Sequence, residues 1–311
     1  MRWVTMLCAV LLTTGVARAQ ENPFLGTWNV SGDNNYVGWL ELKEEAGKLS
    51  AMYLNRGGSP VPATDVKIVD GELSFVLPAR GEWKPTVRLR ASGGKLTGQL
   101  ATAKEPLNLT AVRPPTWGAC DANAKHNFGK PVALFDGKSL DAFAVQNTSK
   151  DMMWKIEDGV MTNDPKGNNL VSKDKFKDFR IEAEYKLSEK GNSGIYLRGR
   201  YELQVLDDFG RDSDRVHGHM AIYARRPPDV NASKPAGEWQ TMQATIVGNC
   251  VTVMLNGKTL HNNARIPGIT GGALDVNELE PGPIMIQGDH EKVWFRKVVV
   301  TPIASAGKPT N

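Results

Sequence analysis

Short alternating runs closed by tight-turn residues recur from Gly26 to Thr301, and helical periodicity is nearly absent. In a strand, successive side chains point to opposite faces. A chain written this way must therefore bury its apolar set between two sheets or inside a barrel. Gly and Pro, 31 and 18 residues of 311, supply the connections. From Asn22 to Arg113 the candidate strands include GTWNVS, YVGWLELKEE, KLSAMYLN, ELSFVLP, TVRLRA and KLTGQLAT. Glu45-Ala46-Gly47, Asp70-Gly71 and Ser92-Gly93-Gly94 provide turn chemistry between them. A strand-turn-strand unit repeats as EAGKLSAMY, VDGELSFVL and SGGKLTGQL, which is what a closed or nearly closed antiparallel barrel needs.

Arg113-Pro114-Pro115 interrupts this series, because consecutive prolines stop a ladder and favour an extended spacer. From Pro131 the strands lengthen, with hairpin signals at Asp158-Gly159 and Asn256-Gly257, and that many strands pack as two sheets. The expected organisation is a small β-barrel-like domain over 20–113, a hinged linker over 114–130, a sandwich over 131–303 and a tail over 304–311. The opening Gly26-Thr27-Trp28 resembles that of lipocalin-like small barrels, and this first domain reads as an accessory or ligand-binding unit. Residues 1–19 read as a secretory signal: Arg2, the apolar run VTMLCAVLLTTGVA, and Ala17-Arg18-Ala19 as cleavage site. That run is too short for a membrane span and no second one follows, so a secreted or periplasmic protein is expected. Cys8 would leave with the signal, and Cys120 and Cys250 remain as either a bridge or two lone thiols. The net charge of +4 is dispersed, without the basic patch that nucleic-acid binding requires. Nothing in the sequence fixes an oligomeric state.

The segment NSGIYLRGRYELQVLDD, Asn192 to Asp208, carries polar groups where a core strand would carry aliphatics. Alternation puts Glu202, Gln204 and Leu206 on one face of the second run and Tyr201, Leu203, Val205 and Asp207 on the other. Upstream it groups Gly194, Tyr196 and Arg198. Arg, Tyr, Glu and Gln on one sheet face make either a solvated surface or a polar cleft suited to a hydroxyl-rich ligand. Downstream, Phe209–Ala236 is polar, Pro-rich and long for a loop inside a sandwich, which is usual for functional segments.

The motifs LFDGKSLDAF, WKIEDGVM, NSGIYLR, YELQVLDD, GEWQTM, VTVMLNGK and GPIMIQGDHEKVWFRKVVV occur in one order between about Pro131 and Pro302. In this the chain resembles the 3-keto-disaccharide hydrolase domain family. The resemblance implies an all-β protein, a concanavalin-like jelly-roll sandwich here preceded by the small antiparallel β-barrel-like domain. It also implies cleavage of glycosides whose sugar is oxidised to a ketone at carbon 3. The sequence departs from the family's Leu-Gln-Asp-His-Gly, reading Ile286-Gln287-Gly288-Asp289-His290, which leaves the direction of Asp289 and His290 open.

A ketone at carbon 3 acidifies the proton at carbon 2, so a base can start elimination of the group on carbon 1. Water then adds to the enone. That route needs a base, a partner for the enolate oxygen and an acid for the leaving group. Glu202 and His219 are candidate bases and Arg198 a candidate enolate partner, with Glu202 paired to Arg198 or Arg200 as the structural alternative. Tyr196, Gln204, Gln287 and Asn192 are candidate substrate ligands, since amides offer both donors and acceptors. A divalent metal ion is a candidate cofactor, with Asp207, His219 and His290 as first-choice ligands and Asp208, His217 and Asp289 nearby in sequence. Trp154, Trp239 and Trp294 read as core before they read as sugar platforms. Two further readings compete with the enzyme: a non-catalytic carbohydrate-binding sandwich and a structural surface domain.

Overall fold

The computed structural model describes residues 22–78, 83–211 and 215–304; the expected signal and nearly all of the C-terminal tail lie outside these. The described chain is all-β, and its only helical element is the 3₁₀ turn Arg215–His217. No described helix is long and apolar enough to cross a membrane.

Nine strands form the first unit: β1 Gly26–Gly32, β2 Tyr36–Glu45, β3 Lys48–Asn55, β4 Val61–Pro62, β5 Thr64–Val69, β6 Glu72–Val76, β7 Thr86–Ser92, β8 Lys95–Leu100 and β9 Leu107–Val112. They run antiparallel in the order 4-3-2-1-9-8-7-6-5, and β3 approaches β5 so that the sheet nearly closes. Trp28, Leu40, Tyr53, Phe75 and Leu89 fill the interior.

Thirteen strands form the second unit: β10 Val132–Phe135, β11 Phe143–Val145, β12 Trp154–Glu157, β13 Val160–Asn163, β14 Leu170–Phe176, β15 Phe179–Leu187 and β16 Asn192–Leu197 come first. They are followed by β17 Tyr201–Leu206, β18 Gln240–Val247, β19 Cys250–Leu255, β20 Lys258–Arg265, β21 Gly282–Ile286 and β22 Val293–Pro302. Eight of them make one sheet, 12-13-22-15-18-19-20 with β10 on β22, and five make the other, 11-14-21-16-17. Alternation along β15 buries Phe179, Ile181, Ala183, Tyr185 and Leu187, which meet Ile195, Leu197, Leu203 and Val205 of the facing sheet. This is the jelly-roll sandwich.

The two units share a core. Tyr36 to Leu40 is buried at every position, because Val37 and Trp39 leave the barrel interior and pack, with Leu54, into the sandwich's apolar cluster. Burial on both faces turns a half-exposed strand into a continuous apolar run. Polar clasps reinforce the junction: Asn29 Nδ2 donates to Glu278 at 2.6 Å, and Gly272 N to the Arg56 carbonyl at 2.9 Å. The Arg225 guanidinium lies 4.1 Å from the Trp39 ring centroid.

Residues 114–130, expected as a hinge, are instead strapped to the sandwich. Cys120 and Cys250 form a disulfide with a Cα–Cα distance of 5.7 Å, and Arg265 donates to the Gly118 carbonyl at 2.7 Å. At the far end Gly129 N donates to Pro302 O at 2.8 Å and Phe128 packs under Arg180.

Candidate functional site

The outer face of the five-stranded sheet carries a cleft of 290 Å³. Tyr196 stands opposite Glu202 in the β16–β17 register, and Gly194 opposite Gln204, so a single face collects them as strand alternation requires. Asn192 and, from the end of β21, Gln287 complete this floor. The cleft is deepened by three segments. Thr270 Oγ1 accepts from Glu202 N at 2.9 Å and anchors the 270–273 loop, while Gly57 and Gly58 come from the barrel. Part of the long loop pairs along the free edge of β17: Gln204 N donates to Ala221 O at 3.0 Å and Tyr223 N to Glu202 O at 3.0 Å, which brings the Tyr223 side chain over the cleft.

Glycine is required where the backbones crowd this face. A Cβ at Gly194 would stand 2.5 Å from Glu202 Oε1, and one at Gly271 would stand 2.2 Å from Gly58 O. Small residues at these two positions admit the carboxyl group and the barrel loop.

Glu202 is 4% exposed, and no Lys or Arg among the described residues pairs with it. Burial pushes its carboxyl up to about 8, opposed by a hydrogen bond with Tyr196 and the charge of His290, with Asp289 adding to the rise. The Tyr196 hydroxyl also donates to Gly271 O at 3.1 Å, so it accepts from the protonated carboxyl in the neutral state. Gln204 Oε1 accepts from Val205 N at 3.0 Å, which leaves its amide nitrogen as the donor facing the cleft.

Asp289 and His290 both line the cleft. Asn169 Oδ1 accepts from Gly288 N at 2.8 Å and Asp289 N at 3.2 Å, and Asn169 Nδ2 donates to Gln146 at 2.7 Å. Gly288 is obligatory at this bend, since a Cβ would meet Asn168 O at 2.5 Å and Trp154 Nε1 at 2.6 Å. The shifted glycine thus leaves the Asp-His pair at the exposed rim of the cleft. His290 Nδ1 is 2.8 Å from Asp289 Oδ1, and this hydrogen bond raises the imidazole against burial. Burial would raise Asp289, yet the hydrogen bond and charge of His290 together hold its carboxyl below the usual range.

Other expected site residues lie elsewhere. Arg198 does not reach the cleft: it and Gly199 occupy the tight turn after β16 with φ of 55° and 64°, where strand alternation no longer applies. Its guanidinium donates to Asp178 at 2.9 Å and to the Lys177 carbonyl, and Arg200 pairs with Asp275 at 2.6 Å. His219 is a core residue, 1% exposed, with Nε2 2.7 Å from the Tyr185 hydroxyl and Nδ1 accepting from Leu206 N at 3.0 Å. Burial lowers its pKa, with Asp208 opposing, so the ring is held neutral away from the cleft.

The three first-choice metal ligands do not converge. Asp207 accepts from Lys190 N at 2.8 Å, His219 is in the core and His290 is at the cleft. His217 Nε2 faces Ser59 Oγ at 2.7 Å across the junction. Among the described residues no group of three or more His, Cys, Asp or Glu side chains could hold a metal ion, and no step is assigned to one. Trp154 is core, its indole donating to Asn168 O at 2.7 Å. Trp239 and Trp294 are half-buried and carry Lys186 over both rings, with Arg296 over Trp239 as well, away from the cleft.

Tyr223, Asn169 and Gln146 escaped the sequence reading. Asn168-Asn169, two adjacent amides at the entrance of the strand LVSKDKF, was the one visible signal for Asn169.

A jelly-roll sandwich with a polar cleft on one sheet face and an unpaired buried carboxyl in that cleft defines the class. The chain belongs to the 3-keto-alpha-glucoside-1,2-lyase-like domain family, whose model matches residues 130–301. A curated relative from Bacteroides thetaiotaomicron, described as a 3-keto-disaccharide hydrolase, is 29% identical over 147 residues, covering 35% of this chain and 49% of the relative. The alignment therefore spans about half the length of that relative. A solved structure of a candidate glycosyl hydrolase from Parabacteroides distasonis is 31% identical, has a TM-score of 0.47, and covers 55% of this chain and 82% of its own. A second from the same organism is 21% identical, has a TM-score of 0.46, and covers 56% and 94%.

Proposed function

We propose that this protein cleaves 3-keto-glycosides, including 3-keto-disaccharides, by elimination across carbons 1 and 2 followed by addition of water. The observation that carries the reading is Glu202: a buried carboxyl in a polar cleft, with no Lys or Arg partner among the described residues and pushed up to about 8. A base poised near working pH is what abstraction of a weakly acidic C–H needs. The Glu202 carboxylate takes the carbon-2 proton, and the electron pair moves into an enolate conjugated with the carbon-3 ketone. The Gln204 and Gln287 amides are the donors on this face for the enolate oxygen, while the Tyr196 hydroxyl stays bonded to Gly271 O and the Glu202 carboxyl. As the carbon 1–oxygen bond breaks, His290, oriented by Asp289, gives its proton to the departing oxygen. Water then adds at carbon 1, carbon 2 regains a proton, and a free 3-keto sugar results.

The protein is further proposed to act outside the cytoplasm. A disulfide that straps the connector to the sandwich suits an oxidising compartment, in agreement with the secretory signal read at residues 1–19. The test is turnover of methyl 3-keto-glucoside and of methyl glucoside by the wild-type chain and by Glu202→Gln, each with and without chelator. Only the keto sugar should react, and Glu202→Gln should lose on the order of 100-fold or more in kcat. Equal turnover of both sugars, or full activity in the variant, contradicts the reading. Loss of activity with chelator would bring a metal ion back into it.

A further inference from the structure

A second cavity, of 840 Å³, opens beside the cleft and shares Gln146, Asn169, Gly272 and Asp289 with it. Both volumes belong to the range or lower edge of small-molecule sites. The far wall of this cavity lies outside the family domain. It is built by Asn34 and Asn35 in the β1–β2 turn and by Arg56 directly after β3. The wall is locked in place: Arg56 donates to Asn34 O at 2.6 Å, and the Arg56 carbonyl accepts from Gly272 N at 2.9 Å, tying it to the loop beneath Tyr196. All three residues adopt the left-handed region, with φ of 56°, 54° and 68°, which Asn accommodates readily in a hairpin turn and Arg56 holds at a cost. Thr148 and Lys150 of the sandwich face them.

The lining offers amides, a guanidinium, an ammonium and a hydroxyl, and none of the described lining residues is aromatic. Such a wall satisfies a ring of hydroxyls and gives a flat aryl group nothing to stack on. We infer that the N-terminal barrel supplies the leaving-group subsite of this enzyme, with Asn34, Asn35 and Arg56 selecting a second sugar as the group attached to carbon 1. The inference rests on the Glu202 cleft being where the 3-keto sugar is cleaved.

The full chain carrying Asn35→Ala or Arg56→Ala tests it, with thermal melts to verify folding. Against a 3-keto-disaccharide, kcat/KM should fall at least about ten-fold more than against methyl 3-keto-glucoside. Binding to Glu202→Gln, measured by calorimetry, separates this claim from the cleavage reading. The disaccharide should bind at least about ten-fold more tightly than the methyl glycoside, a margin of one decade in Kd, and either barrel substitution should erase the difference. Equal affinity for the two ligands, or equal losses on both, overturns the subsite. If the wild-type chain turns over neither sugar, the cleavage reading fails, and the binding comparison still decides whether the barrel wall holds a second sugar.

Discussion

Glu202 gains its basicity at the expense of the fold. Its folded pKa of about 8 lies above the ordinary 4.5, so between these values the folded protein binds a proton that the unfolded chain has lost. This group's contribution to stability is therefore fully present below about pH 4.5 and is lost as pH rises through about 8. The loss is on the order of a few kcal/mol. Glu202→Gln stays neutral throughout, so its melting temperature should match the wild type at pH 5 and exceed it by several degrees at pH 9. Equal melting at both pH values would mean that the carboxyl is solvated. In the active enzyme the same titration makes kcat/KM rise with pH toward about 8, and loss of the His290 proton that the leaving oxygen needs makes it fall again at higher pH. The site was partly legible at this scale. Tyr196, Glu202 and Gln204 share the cleft because they stand in true strand register, and alternation reads register directly. Arg198 misled because a turn with positive φ begins at that residue, and His219 because burial is a tertiary property of a loop histidine.

The β16–β17 hairpin sets the site's precision. Its inner face holds Ile195, Leu197, Leu203 and Val205 in the sandwich core, so the outer face cannot slip without exposing that set. On the outer face Gly194 leaves the space that the Glu202 carboxyl fills. Gly194→Ala should displace the carboxyl and lower kcat by at least about ten-fold while costing roughly 1–3 kcal/mol of stability from overpacking. Unchanged kcat in a folded variant would show that Glu202 does not act from this position. Turn residues and alternation made most strands readable in the sequence. The pairing of Met220–Tyr223 against the edge of β17 was not, since it depends on a long-range meeting of a loop that carries no strand pattern.

At the scale of the molecule, barrel and sandwich behave as one body. Val37, Trp39 and Leu54 cross the junction, and the disulfide closes a separation of 130 residues. Cys120→Ser with Cys250→Ser should cost about 2–5 kcal/mol. It should also make the 114–130 segment a site of limited proteolysis that the oxidised chain resists. Equal cleavage of both forms would return that segment to the role of free hinge. The Pro114-Pro115 interruption between the two strand series stands out in the sequence because it depends on local composition. The fused interface does not, although YVGWL, apolar on both faces, was its trace in the sequence.

Proton abstraction at carbon 2 is the central claim, and substrate deuterated at that carbon tests it most directly. The wild-type chain should show a primary isotope effect on kcat/KM and exchange of carbon-2 hydrogen with solvent, and Glu202→Gln should abolish the exchange. Turnover with neither isotope effect nor exchange, or exchange that survives in Glu202→Gln, would contradict elimination with Glu202 as the base.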